Sequence, residues 1–332
     1  MPARRFLHIA NGTSTTNTFQ PAGIPGASSI WADVLHEGPV PGGLSDDELM
    51  AVRARHLAAN GGEGDSYADI VDGLKQWRAV IDEDDAYDEL VLWYEHDLFD
   101  QLNLIQVLTR IREVVAARKT VTLICIGSFP GRPRFRGLGE LTPEELAPLF
   151  ETRERVTDEQ YALAGRAWQA FRDSTPRALQ DLLQTDTAAL PFLGPALSRH
   201  LEEYPWTTDG LSRTERRVLE LASAAPIDTH ATFPRMHDLE TAFYVGDESY
   251  WHVLKGLSSS SPALVELTTR KHVDGTVPPG TISLTDFGRA VLSRAEDRVR
   301  RVGFDRWLGG VHLSGSGPMW RWDPAQRGMV LA

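Results

Sequence analysis

The sequence predicts an α/β protein: an N-terminal Rossmann-like, mostly parallel sheet with flanking helices, then a helical segment and a winged-helix-like α+β domain. Three observations carry this. The run Leu90–Tyr94 is apolar and of strand length. It is followed by apolar positions at three- and four-residue spacing from Leu98 to about Arg118, and then by a second apolar run, Val121–Ile126. Strand, helix and strand of those lengths suit a right-handed crossover between parallel strands. Last, from Leu211 onward the order reads helix, helix, helix, strand, loop, strand, helix.

Taken in order, Phe6–Ala10 is the first strand. It breaks at Asn11-Gly12-Thr13-Ser14, a small polar loop that opens a helix. Ser28–Trp31 begins another strand, leading to His36-Glu37 before a Gly-Pro break. Ser45-x-x-Glu48 is a capping box for a helix from Asp46 to about Ala59, and a further helix spans about Tyr67 to Ile81. Beyond the central unit, Thr142-Pro143-Glu144-Glu145 and Thr157-x-x-Gln160 start helices, the second running through Phe171. Thr175-Pro176 starts a third, and Asp186–Tyr204 reads as one or two more. Helices at Leu211–Leu221, between Ala231 and Ala242, and at Asp247–Leu257 precede strands Ala263–Leu267 and Thr281–Leu284, with Thr285 capping a helix to Arg294. The aromatic tail, with Trp307, Trp320 and Trp322, predicts hairpins. The expected divisions are 1–140 (α/β ligand-binding domain), 141–208 (helical connector), 209–298 (winged-helix-like) and 299–332 (hairpin tail).

Composition narrows the function classes. The single cysteine, Cys125, falls inside a strand and cannot form an internal disulfide, so a cytoplasmic location and a buried, unreactive thiol are expected. No apolar run approaches the ~18 residues of a membrane span. A net charge of −12 disfavours a dedicated nucleic-acid coat, because phosphate binding needs clustered cations.

In parallel sheets ligands sit beyond the carboxyl ends of the strands. There the sequence sets Asn11, Gly12, Thr13 and Ser14; Glu95, His96 and Asp97; and Ser128 with Arg132, Arg134 and Arg136, while His36 and Glu37 join from the first connector. Loop donors and guanidiniums suit a phosphate or carboxylate. Glu95, His96, Asp97, His36 and Glu37 suit acid–base chemistry or a divalent metal, with no diagnostic ligand spacing. Because strand residues alternate, at most Glu95 and Asp97 share a face, and His96 points away unless the strand has already ended. A structural reading stands beside this one: Asp97 caps the following helix, and Glu95 pairs with one of the arginines.

The segments His8-Ile9-x-Asn11-Gly12-x-Ser14, Gly23-Ile24-Pro25-Gly26, Trp31-x-Asp33-Val34-Leu35-His36-Glu37-Gly38-Pro39-Val40 and Leu92–Gln101 together resemble the bacterial family called domain of unknown function 1835, over about residues 5–140. That resemblance implies kinship and brings no activity with it.

Three functional expectations follow. The first is a cytoplasmic protein that binds a small anionic metabolite, phosphorylated or nucleotide-like, and hydrolyses or transfers part of it. The second is a ligand-responsive DNA-binding regulator, contacting DNA through Arg213, Arg216, Arg217, Lys255, Arg270 and Lys271. Residues 211–300 carry eleven Lys/Arg against twelve Asp/Glu, so no strong basic face is predicted. The third is a non-catalytic interaction protein. Cofactor identity and oligomeric state stay open, with a divalent metal as one candidate.

Overall fold

In the computed structural model, described over residues 4–60, 66–240, 242, 246–269 and 278–332, five strands form one mostly parallel sheet. In chain order the first elements are β1 (Phe6–Ala10), α1 (Thr13–Phe19), β2 (Ala27–Ile30), α2 (Asp46–Asn60), α3 (Tyr67–Asp82), β3 (Glu89–Glu95), α4 (Leu98–Val114) and β4 (Thr120–Ile126). Strand order is β2-β1-β3-β4, all parallel, with Leu7 opposite both Ala27 and Leu90, and Leu92 opposite Leu123. The chain leaves β1 in one direction to reach β2 and crosses back to β3. The topological switch point therefore lies between β1 and β3, where open α/β sheets bind ligands.

The central helix departs from its expected amphipathic form. Leu98, Leu102, Leu104, Ile105, Val107, Leu108 and Ile111 are all fully buried, so α4 has no solvent face over most of its length. Its interior amides are spent on structure: Asn103 Nδ2 donates to the Asp33 carbonyl at 2.9 Å, Gln106 Oε1 accepts from Trp31 Nε1 at 2.8 Å, and Gln101 Nε2 donates to the Glu95 carbonyl at 2.5 Å. The helix ends at Val114 rather than near Arg118. Each buried leucine or isoleucine contributes about 1.5–3 kcal/mol, so α4 is the main hydrophobic anchor of the sheet.

Next come α5 (Pro143–Leu146), β5 (Glu154–Arg155), α6 (Asp158–Phe171), α7 (Arg177–Leu182) and α8 (Leu193–Leu201). The Thr142–Glu145 and Thr157–Gln160 capping boxes both form. The helix after Thr175-Pro176 is capped at Pro176, so its first residue is Arg177. The two-residue β5, not expected from sequence, closes the sheet as an antiparallel edge against β4.

The remaining elements are α9 (Arg213–Leu221), β6 (Ile227–Asp228), α10 (Thr229–Asp238), α11 (Asp247–Ser259), β7 (Val265–Thr269), β8 (Gly280–Leu284), α12 (Asp286–Leu292), α13 (Arg298–Val302), β9 (Phe304–Leu308), β10 (Val311–Gly315), β11 (Trp320–Asp323) and β12 (Gly328–Leu331). β6, β8 and β7 form a small antiparallel sheet, and β9–β10 and β11–β12 are hairpins. The second hairpin is stitched to the stretch before α9: Thr207 N donates to the Trp322 carbonyl at 2.9 Å, and Trp322 N to the Pro205 carbonyl at 3.0 Å. One continuous apolar cluster runs from Leu7 to Met329. Among the described residues no helix is long and apolar enough to cross a membrane.

Candidate functional site

At the switch point the end of β3 meets the first turn of α4. Asp97 caps α4, accepting from Asp100 N at 2.8 Å. Asp100, fully buried, accepts from Glu95 N at 2.7 Å through one oxygen and from Asn11 Nδ2 at 2.5 Å through the other. Glu95 is buried and accepts from Leu138 N at 2.5 Å. Glu95, Asp97 and Asp100 thus place carboxylate oxygens within 4.8 Å of one another. This trio has the oxygen donors a hard divalent cation takes.

Packing three carboxyls together out of water favours protons on them. Burial, and then the nearby Asp97 charge, push Glu95 up to about 8 against the single lowering bond from Leu138. Burial pushes Asp97 up to about 6, opposed by the amides of Asp100 and Phe99. Burial and its two acidic neighbours raise Asp100 far above the usual carboxylate range.

The expected site residues divide. Glu95 and Asp97 come together, but β3 ends at Glu95, so the turn into α4 and not strand alternation sets Asp97 there. His96 turns away, its ring 6.2 Å from that of Phe135 and 6.1 Å from that of Phe192, and burial lowers its pKa. Asn11 is a structural clasp on Asp100. Gly12 caps α1 without a side-chain bond, and Thr13, Ser14 and Ser128 are exposed. Among the described residues Glu95 pairs with no arginine. The three guanidiniums of the following loop bind carboxylates instead: Arg132 to Glu145 at 2.7 Å, Arg134 to Asp238 at 2.5 Å, Arg136 to Glu140 at 3.9 Å. Cys125 is half-buried rather than buried, and burial pushes its thiol up to about 12, so it stays protonated.

His36 and Glu37 reach a second set of partners, which sequence reasoning did not find. The loop that carries them is held by Arg53, which is buried, pairs with Asp33 at 2.8 Å and donates to the carbonyls of Glu37 at 2.6 Å and Val34 at 2.9 Å. Across the molecule, Glu37 Oε2 meets His252 Nδ1 at 3.2 Å, and His36 Nε2 meets Ser249 Oγ at 3.0 Å. Burial would raise the Glu37 carboxyl, but His252, His36 and Ser249 hold it down to about 2. Burial lowers His36, keeping it neutral. No local signal announces Ser249 or His252, because each contact spans more than two hundred residues of chain.

These groups share one cleft of ≈ 380 Å³ between the carboxyl edge of the sheet and α11, with Glu37, Asp97, Phe99, Arg136, Ser249 and His252 among its walls. Glu95 is not one of its walls; Gly137 stands against its carboxylate, and Leu138 N donates to it.

The cationic set considered for DNA is largely committed. Arg213 pairs with Glu202 at 2.5 Å and with Glu240 at 2.8 Å, Arg216 lies against Asp209, and Arg217 pairs with Glu220 at 2.7 Å. Lys255 Nζ sits 5.8 Å over the Trp251 ring. Arg270 and Lys271 lie outside the described residues. No protein-family model matches the chain, and no curated protein matches it.

Proposed function

We propose that the chain is a small-molecule enzyme, a hydrolase or transferase, whose substrate enters the cleft between the carboxyl edge of the parallel sheet and α11. The observation that carries this reading is Asp97, which stands at the switch point of the strand order and lines the cleft. A carboxyl pushed up to about 6 exchanges its proton near neutral pH, as a general acid or base must. Glu95 and Asp100 act through Asp97 as positioning groups. Arg136, on the cleft wall and held by Glu140 only through a long 3.9 Å contact, supplies a single anchor for one anionic group of the substrate. Because Arg132 and Arg134 are engaged elsewhere, this favours a metabolite with one carboxylate or phosphate.

The test is a thermal-shift screen of metabolites, run with and without Mg²⁺ or Mn²⁺, followed by turnover assays on the hits. Asp97→Asn keeps a capping side chain, so it should fold and bind while losing roughly 10²–10⁴-fold in rate. Undiminished turnover in Asp97→Asn removes the assigned role, and a cleft that accepts no metabolite sinks the reading.

The element order from α9 to α12 supports a second reading, a winged-helix-like module. Ser249 and His252 of α11 are engaged with the N-terminal connector and not turned outward, which favours a scaffold over a DNA reader. Duplex DNA retarded at low salt, and released by neutralising Arg213, Arg216 and Arg217, would favour the regulator instead.

A further inference from the structure

A separate pocket of ≈ 360 Å³ lies where α9, the end of α12 and the β11–β12 hairpin meet, and its walls include Trp206, Arg213, Arg216, Arg217, Arg294 and Arg327. We propose that this pocket is an anion site for an oligophosphate ligand, such as a pyrophosphate or triphosphate group.

Charge is the first argument. Five arginines line the pocket against two lining carboxylates, Glu202 and Glu220; Glu240 and Asp209 also pair with Arg213 and Arg216, so five minus four leaves one positive charge in excess, in a chain of net −12. Glu202 and Glu220 are already paired, with Arg213 and Arg217. Arg294 and Arg327 have no carboxylate partner among the described residues.

Unspent donors point the same way. The Nε–H groups of Arg213, Arg216 and Arg217 are buried and have no acceptor among the described residues. Guanidinium forks present their donors in the spacing that phosphate oxygens accept. Arg216 is also held over the Trp206 ring at 5.0 Å, which fixes the plane of its fork. Burial lowers its pKa and Glu220 opposes this, while the charges of Arg294 and Arg217 add to the lowering. An anion would relieve that crowding.

The backbone around the pocket agrees. Arg294 (φ 66°) and Arg327 (φ 50°) are the non-glycine residues of positive φ among the described residues, and both line this pocket. Such backbone suits glycine or asparagine, and arginine gains nothing locally from it. The chain keeps two guanidiniums at those turns: the Arg294 turn closes on its own helix, Arg294 N donating to the Val291 carbonyl at 2.9 Å, and the Arg327 turn belongs to the hairpin that is tied to Pro205–Thr207 through Trp322. The volume admits a chain of two or three phosphates with a small attached group.

The experiment titrates the full chain with inorganic tripolyphosphate and, separately, with a nucleoside triphosphate, by calorimetry at low and at moderate salt. Binding should weaken as salt rises. Arg294→Gly and Arg327→Gly remove charge while suiting the left-handed backbone; each should weaken binding about fivefold, and the pair more than tenfold. Arg294→Asn and Arg327→Asn serve as the second set if a glycine variant folds poorly. Equal affinities for the two ligands place recognition in the phosphates alone, and a tighter nucleotide adds a ring on the Trp206 wall; either result supports the site. No binding at millimolar ligand overturns it. So does binding that ignores both substitutions, or duplex DNA that binds through these arginines while the small oligophosphates do not. Asp97→Asn should leave this binding unchanged, which separates the failure of this site from that of the sheet-edge cleft.

Discussion

Asn11 Nδ2 donates to Asp100 Oδ2 at 2.5 Å, joining the exit of β1 to the first turn of α4 across 89 positions of sequence. The bond consumes the polar side chain that stands at the head of the first loop. It also fixes Asp100 where its other oxygen holds the backbone end of β3. The acidic trio is thus assembled by the strand ends that flank the switch point.

Removing that clasp leaves one oxygen of a fully buried carboxyl without a donor. Asn11→Ala should cost about 1–3 kcal/mol, read as a lowered urea midpoint with unchanged slope. An unmoved midpoint would show that the bond contributes nothing.

Glu95 makes a pH prediction with a definite sign. Its carboxyl sits at about 8 when folded, against the 4.5 of a free glutamate, so between those values the folded chain holds a proton that the unfolded chain has lost. Stability from this group is complete below about pH 4.5 and is lost as pH rises through about 8. Buried neutral histidines oppose it: His200, held down to about 3 chiefly by burial, costs stability as pH falls below 6.5. The difference between wild type and Glu95→Gln isolates the glutamate. Their unfolding free energies, from urea titrations, should diverge by roughly 4 kcal/mol in favour of the variant by pH 8. Parallel pH profiles would refute the shift.

Arg53 is the fastening of the His36–Glu37 loop. Arg53→Leu should destabilise by about 3–5 kcal/mol, because Asp33 is left buried and unpaired. Arg53→Leu combined with Asp33→Asn should recover part of that loss. Chemical unfolding of the single and double variants checks this, and additive losses would mean that the two residues do not act as a pair.

Gly137 is required for space and not for backbone freedom. Its φ of 169° is extended, but a Cβ there would collide with the Glu95 carboxylate. Gly137→Ala should cost about 1–3 kcal/mol and should lose most of this cost in combination with Glu95→Ala, measured by thermal unfolding.

The β-α-β unit was legible because apolar runs and helical spacing are local. The capping boxes Ser45–Glu48, Thr142–Glu145 and Thr157–Gln160 were legible for the same reason: the two partners lie three residues apart. The edge strand β5 escaped notice because two exposed residues carry no period. The full burial of α4 escaped because three of its interior positions are amides, which read as surface until their partners are known. Asp100 carried a usable signal, one helical turn from Asp97 at the mouth of a strand. The guanidinium loop read as a free cationic rim because its counter-charges include Asp238, more than a hundred residues away.

By itself the sequence determined the parallel α/β unit, the starts of its main helices and the rim on which the ionisable residues gather, since each depends on neighbours within a turn or a strand. Tertiary structure alone decided which of those residues face one another. It set Asp100 beside Glu95 and Asp97, and brought Ser249 and His252 to the connector carrying His36 and Glu37. It also gathered Arg294 and Arg327 with the arginines of α9. The physical reason is that burial and electrostatics act through space, and the partners that set a group's proton affinity or cancel its charge are fixed by packing between segments distant in the chain.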